Sequence, residues 1–178
     1  MKKTLAVALL VFVLFSCSQD KEPQKQTSSP GSPGQPIQSG SQREEMLFRD
    51  ALAKDPKNVR AWISLGNILM DSRRLGEAVE AYTKALELDP KNVDVRVDRG
   101  TCLKYSGKPD LAIADYKKAL EINPNHVNAY VNMGVTLAED MKDYKGAVQA
   151  YEKALSLNPN FPNADKFRQE IERLKKMG

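Results

Sequence analysis

From Arg43 onward apolar residues fall three and four apart, and Gly, Asp, Asn or Pro interrupts them every dozen or so positions. That rhythm predicts short amphipathic helices. The helices come in pairs. In the first full unit Trp62, Leu65, Gly66 and Leu69 share one face of a helix A, and Ala78, Tyr82 and Ala85 share the facing stripe of a helix B. Gly66 has no side chain where the two helices must approach, while the small Ala78 and Ala85 leave room for Tyr82 between turns. Pro90 ends helix B. The same turn of helix B then recurs, as Ala81-Tyr82-Thr83-Lys84-Ala85-Leu86, Asp115-Tyr116-Lys117-Lys118-Ala119-Leu120 and Ala150-Tyr151-Glu152-Lys153-Ala154-Leu155. Pro56, Pro90 and Pro124 stand 34 residues apart and Pro159 follows at 35, so the period is that of a repeat architecture.

These residues resemble the tetratricopeptide repeat, whose series of aromatic, Leu-Gly, Ala, aromatic, Ala and Pro is met by Trp62, Leu65-Gly66, Ala78, Tyr82, Ala85 and Pro90. The second copy offers Gly100, Ala112, Tyr116, Ala119 and Pro124. It departs at Arg96, in the place of the first aromatic, and at Arg99, in the place of the leucine, which predicts looser outer packing there. The third offers Tyr130, Met133-Gly134, Ala147, Tyr151, Ala154 and Pro159, with one extra residue that the turn around Asp140 to Asp143 can absorb. Leu69, Leu103 and Leu137 stand where the family often has tyrosine. Phe48, Ala51, Leu52 and Pro56 have the spacing of a lone helix B, and Phe161 to Lys176 forms an amphipathic cap with Phe167, Ile171 and Leu174 inward. The implied fold is all-α, a right-handed superhelix of antiparallel helix pairs. It divides into a half-repeat over 43–58, units over 59–92, 93–126 and 127–161, and a capping helix over 162–178.

Ahead of the repeats, Lys2-Lys3 precede an apolar run from Leu5 to Phe15 that stops at Ser16, the outline of a secretion signal over residues 1–16. The run covers 11 residues and a bilayer core needs roughly 20, which argues against a spanning helix. Leu14-Phe15-Ser16-Cys17 is similar to the lipobox of bacterial lipoproteins, apart from Phe15, where a small or branched residue is usual. The resemblance implies a diacylglyceryl thioether on Cys17 and a further acyl chain on its amine, palmitate-type chains that together hold a membrane firmly. A plain secreted protein with an incidental Cys17 is the alternative. Ser18 resembles the outer-membrane class. Residues 17–42 follow as a tether, since positions 18 to 42 hold six Ser, six Gln, four Pro and three Gly and only Ile37 is clearly apolar. Such a segment would average roughly 25 to 30 Å end to end.

Without residues 1–16 the chain carries 25 basic and 23 acidic residues, so no basic face recommends nucleic acid. Cys102 is the one cysteine after Cys17, and the fold must rest on packing rather than a disulfide. Nor does the sequence offer a site for chemistry. His126 follows Pro124-Asn125 in a turn without a second base or ligand beside it, no cluster has zinc-ligand spacing, and Gly31 and Gly34 lie in the tether rather than in a phosphate loop. No catalytic residue, metal, cofactor or small-molecule substrate is expected.

What remains is binding. In the tetratricopeptide family the A helices line a concave groove, and projecting each away from its packed stripe puts Arg60, Ile63, Ser64, Asn67 and Asp71 on that face from the first unit. The second gives Asp94, Val97, Asp98, Thr101 and Tyr105, and the third Asn128, Val131, Asn132, Val135 and Glu139. Some relatives clamp a chaperone's C-terminal carboxylate there with Lys, Arg and Asn. Here Asn67 fits that pattern, whereas Asp98 would repel a carboxylate. The expectation is an extended peptide or helix held by Asn and Asp, with Ile63, Val97 and Val131 giving apolar contact. The alternative is that this face is plain solvated surface. Together with Cys17 the groove predicts a non-enzymatic scaffold in the bacterial envelope, on the outer membrane facing the periplasm, serving assembly of a pilus or secretin type. The rival is a non-catalytic regulatory subunit of an envelope enzyme such as a cell-wall hydrolase or synthase. Self-association through the cap or the half-repeat stays open.

Overall fold

The computed structural model describes residues 40–178. The expected signal over 1–16, Cys17 and nearly all of the expected tether over 17–42 lie outside the described residues. The described chain is all helical: α1 (Gly40–Lys54), α2 (Val59–Asp71), α3 (Leu75–Leu88), α4 (Val93–Tyr105), α5 (Pro109–Ile122), α6 (Val127–Glu139), α7 (Tyr144–Leu157) and α8 (Ala164–Lys175). Each helix packs on the next, α2 on α3, α4 on α5 and α6 on α7 as the pairs, and α4 also touches α6 across the stack. The helix pairs wind as a right-handed superhelix.

The spacing is set by glycine against tyrosine. A Cβ placed on Gly66 would lie 2.5 Å from Tyr82 Cε1, one on Gly100 2.6 Å from Tyr116 Cε1, and one on Gly134 2.4 Å from Tyr151 Cε1. Any side chain there would force the pair apart. The three tyrosines are almost fully buried, and Ala78, Ala85, Ala112, Ala119, Ala147 and Ala154 pack the rest of each seam.

Local chemistry sets the ends of the A helices. Asn58 Oδ1 accepts from Ala61 N–H at 3.0 Å and Asn92 Oδ1 from Val95 N–H at 3.2 Å. In the third unit the cap is His126, whose Nδ1 accepts from Ala129 N–H at 3.1 Å. Each of the two asparagine caps contributes about 1 kcal/mol. Helices A and B are joined through one left-handed residue, at Arg73, Gly107 and Lys142 in turn. The extra residue of the third unit falls here, since 140–143 separate α6 from α7 where 72–74 separate α2 from α3.

Two boundaries differ from the sequence reading. Helix α1 starts at Gly40, ahead of Arg43, because an exposed first turn needs no apolar contact to continue. Helix α8 starts at Ala164, because Asn163 sits at φ 66° and breaks the backbone after the buried Phe161.

The second unit differs in kind. Arg99 stands where the first unit has Leu65, and Asp115 where it has Ala81. The two form a fork-to-fork pair, Nε to Oδ2 at 2.8 Å and Nη2 to Oδ1 at 2.6 Å, with Arg99 Nη1 donating to Thr83 Oγ1 at 3.1 Å. Arg96 Nη2 donates to Pro90 O at 2.8 Å, in the place where Trp62 Nε1 donates to Pro56 O at 2.9 Å. The looser packing expected there is replaced by an ionic seam, because both partners changed together. Among the described residues the Nε of Arg96 is the one buried side-chain atom of this kind left without a partner.

Candidate functional site

The concave face is built from α2, α4 and α6. Polar bonds tie α4 to α6 at three levels. His126 Nε2 lies 2.9 Å from Asp94 Oδ1; because Nδ1 is spent on the helix cap, the neutral ring donates from Nε2. Asn132 Nδ2 donates to Thr101 Oγ1 at 3.2 Å, and Lys104 Nζ to Glu139 Oε2 at 2.8 Å. Burial alone would pull the Lys104 ammonium down, but Glu139 and Asp140 hold its pKa above the usual lysine value. Tyr105 lies exposed at the end of α4, with Lys104 Nζ 4.9 Å and the Arg73 guanidinium 5.7 Å from its ring centre.

Asp98 is the exception among these acids. It is half-buried, and among the described residues its carboxylate has neither hydrogen bond nor ion pair. Burial, and after it the charge of Asp94, raises its pKa above the ordinary aspartate range. A half-desolvated carboxylate without a donor marks a place where a ligand's N–H or cation would bind at little further desolvation cost.

The remaining expected residues are placed as follows. Arg60, Asn67, Asp71 and Asn128 are exposed, and Asn67 Oδ1 accepts from the Tyr82 hydroxyl at 2.8 Å, leaving its amide donors outward. Ile63, Ser64, Val131 and Val135 are half-buried. Val97, expected to offer apolar contact, is instead 4% exposed and packs in a cluster with Ala129 of α6, because α4 is the middle A helix and its neighbour covers that position. Val97 therefore supports the groove from beneath, and Ile63 and Val131 supply the apolar surface. His126 lies in the expected turn and also caps α6, because it stands at the position of Asn58 and Asn92, a signal present in the sequence. The Cys102 thiol is fully buried and pushed up to about 11, chiefly by that burial, which suits packing and not nucleophilic work. Among the described residues no group of three or more His, Cys, Asp or Glu is placed to hold a metal, and no helix is long and apolar enough to cross a membrane.

The family model described as the cytochrome c-type biogenesis protein H TPR domain matches residues 42–160. Among solved structures, MamA is 25% identical, covering 74% of this chain and 82% of that one with a TM-score of 0.65. The Sgt2 TPR domain from Aspergillus fumigatus is 29% identical, covering 67% and 78% with a TM-score of 0.61. The first TPR of Spaghetti (RPAP3), solved with an HSP90 peptide, is 24% identical, covering 68% and 96% with a TM-score of 0.61. No curated protein sequence matches the chain.

Proposed function

The chain belongs to the TPR family of that model, and from this we propose that it is a non-enzymatic adaptor that holds a segment of a partner protein in the groove of α2, α4 and α6. The observation that carries the reading is Asp98, an unpaired, half-buried carboxylate in the middle of a face whose other acid on α4 is already bonded. Asp98 would take main-chain N–H groups or a cation, Asn67 and Asn128 would bond the peptide backbone, and Ile63 and Val131 would give apolar contact. That similar folds have been solved with a peptide bound supports the class of ligand. The family's description adds cytochrome c biogenesis to the pilus and secretin assemblies as a process this scaffold would serve.

The adaptor is proposed to sit in the bacterial envelope, on the outer membrane facing the periplasm, through lipid on Cys17. The support is the Lys2-Lys3 start, the apolar run and the Ser16-Cys17 junction. With Cys17→Ser the expected result is release into the soluble fraction, and full retention on membranes would overturn the anchor. A photo-cross-linker at position 60, on the same face and without an assigned contact, used on whole membranes, tests the groove. An assembly component in the adduct supports the scaffold, and a hydrolase or synthase moves the reading to the regulatory subunit. If position 60 gives no adduct while the convex helices α3 and α5 do, the groove is not the site used. Asp98→Arg should abolish the adduct seen from position 60 without changing helicity.

A further inference from the structure

The tyrosine that wedges each helix pair needs somewhere to spend its hydroxyl proton. In the first unit Tyr82 donates to Asn67 at 2.8 Å, and in the second Tyr116 meets Thr101 Oγ1 at 3.4 Å. The corresponding residue of the third unit is Val135, which accepts nothing. Tyr151 is 2% exposed, and among the described residues its hydroxyl has no hydrogen-bond partner. It lines a cavity of about 440 Å³ between α6 and α8, with Val135, Glu139, Lys166, Phe167, Glu170 and Arg173 around it.

The lining determines what fits. Val135 and Phe167 form the apolar walls, with the Phe167 ring centre 4.9 Å from that of Tyr151. Of the charges, Glu170 is gripped by Arg173 at 2.5 and 2.8 Å and also feels Lys166, and Glu139 is held by Lys104. Burial and the nearby Glu170 and Glu139 keep the phenol protonated well beyond its usual range, so its proton stays available to donate. Around the cavity Glu139 and Glu170 are balanced by Lys166 and Arg173, so the lining exerts no net pull on an ionised group and suits a neutral acceptor. A cavity with two apolar walls, a balanced charged rim and a tyrosine hydroxyl not used within the protein therefore suits an aliphatic residue together with its backbone carbonyl.

We propose that the cavity under α8 is a subsite of the groove, in which an extended partner peptide buries an aliphatic side chain between Val135 and Phe167 while Tyr151 donates to that residue's carbonyl oxygen. The inference rests on the peptide-groove reading. It adds an anchor at the end of the groove and sets the polarity of what lies there. The subsite arises because the chain leaves vacant in the third unit an acceptor it supplies in the first two.

Short random-sequence peptides displayed and selected on the full chain provide the probe. Selected peptides should share an aliphatic residue without an adjacent acid, and Tyr151→Phe, which keeps the ring, should weaken them about five- to tenfold, the worth of one such bond. Val135→Asn rebuilds the internal acceptor of the first unit, and should weaken them similarly while leaving the melting temperature equal or higher. If Asp98→Arg abolishes capture while Tyr151→Phe and Val135→Asn do not weaken it, the subsite is overturned and the groove stands. If none of the three has an effect, or no peptide is selected, both fall. Tighter binding of a peptide whose free C-terminal carboxylate occupies this position, compared with its amide, would overturn the neutral acceptor.

Discussion

The seam between helices A and B and the concave face of the A helices repeat with the same period, yet they vary in different ways. Along the seam a departure is met by its partner. Where Leu65 and Ala81 give way to Arg99 and Asp115, the two new residues close a bidentate pair, and where Trp62 gives way to Arg96 the hydrogen bond to the carbonyl six residues back is kept. On the concave face departures are left open. Asn67 becomes Thr101 and then Val135, and the tyrosine hydroxyl loses its acceptor by the third step; Asp98 has no counter-charge at all. These two polar groups are absent from the buried unpaired atoms and reach solvent, where a ligand can take the place of water. The comparison thus separates residues that hold the scaffold from residues that await a partner, and Arg96 Nε is the single atom of the seam that strays from it.

Breaking one half of the ionic seam should do the most damage. Asp115→Ala leaves the half-buried Arg99 without its counter-charge and should cost about 2 to 3 kcal/mol in denaturant unfolding, whereas Arg99→Leu with Asp115→Ala recreates the first unit's pairing and should return to within about 1 kcal/mol of the parent. A double variant as unstable as the single one would show that the seam is not compensated. Gly134→Ala drives a Cβ into the Tyr151 ring and should cost about 1 to 3 kcal/mol. The hydroxyls sharpen the contrast between units: Tyr82→Phe forfeits the bond to Asn67 and should cost about 1 kcal/mol, whereas Tyr151→Phe forfeits none inside the protein and should be close to neutral.

The smallest effect is one of pH. Because burial raises the Asp98 pKa in the folded state, the folded protein holds this proton more tightly than the unfolded chain does. The stability so gained is complete below the unfolded aspartate pKa and is lost as pH rises through the higher folded value. Relative to Asp98→Asn, the parent should therefore lose melting temperature across that window, starting from about pH 4, and then run parallel to the variant. A gap that does not change with pH would mean that Asp98 is well solvated and poorly suited to capture a partner.

The seam was readable because it obeys spacing. Gly66, Gly100 and Gly134 meet Tyr82, Tyr116 and Tyr151 as the 34-residue period requires, and the third unit's extra residue settles in its A-to-B turn. The Arg99–Asp115 pair was half visible: Arg99 stood out, but its meaning depended on noticing that Asp115 occupies the column of Ala81 and Ala150. Helical phase placed the concave residues on the right helices without telling which are covered by a neighbour, and that is why Val97 was misjudged. Partnerships between units, such as Asp94 with His126 and Lys104 with Glu139, join positions 32 and 35 apart across two helix pairs. The superhelical geometry decides those, and no local pattern encodes it. The cavity at Tyr151 was hidden for the same reason, since it exists only once α8 closes over α6.

The central claim is that a partner lies along α2, α4 and α6. Amide chemical shifts of the full chain, followed as a selected peptide is titrated in, test it most directly. The account predicts shifts clustered at Asn67, Asp98, Thr101, Val131 and Val135, with α3, α5 and the outer face of α7 quiet. Shifts confined to α3, α5 and α7, with the A helices unchanged, would contradict it.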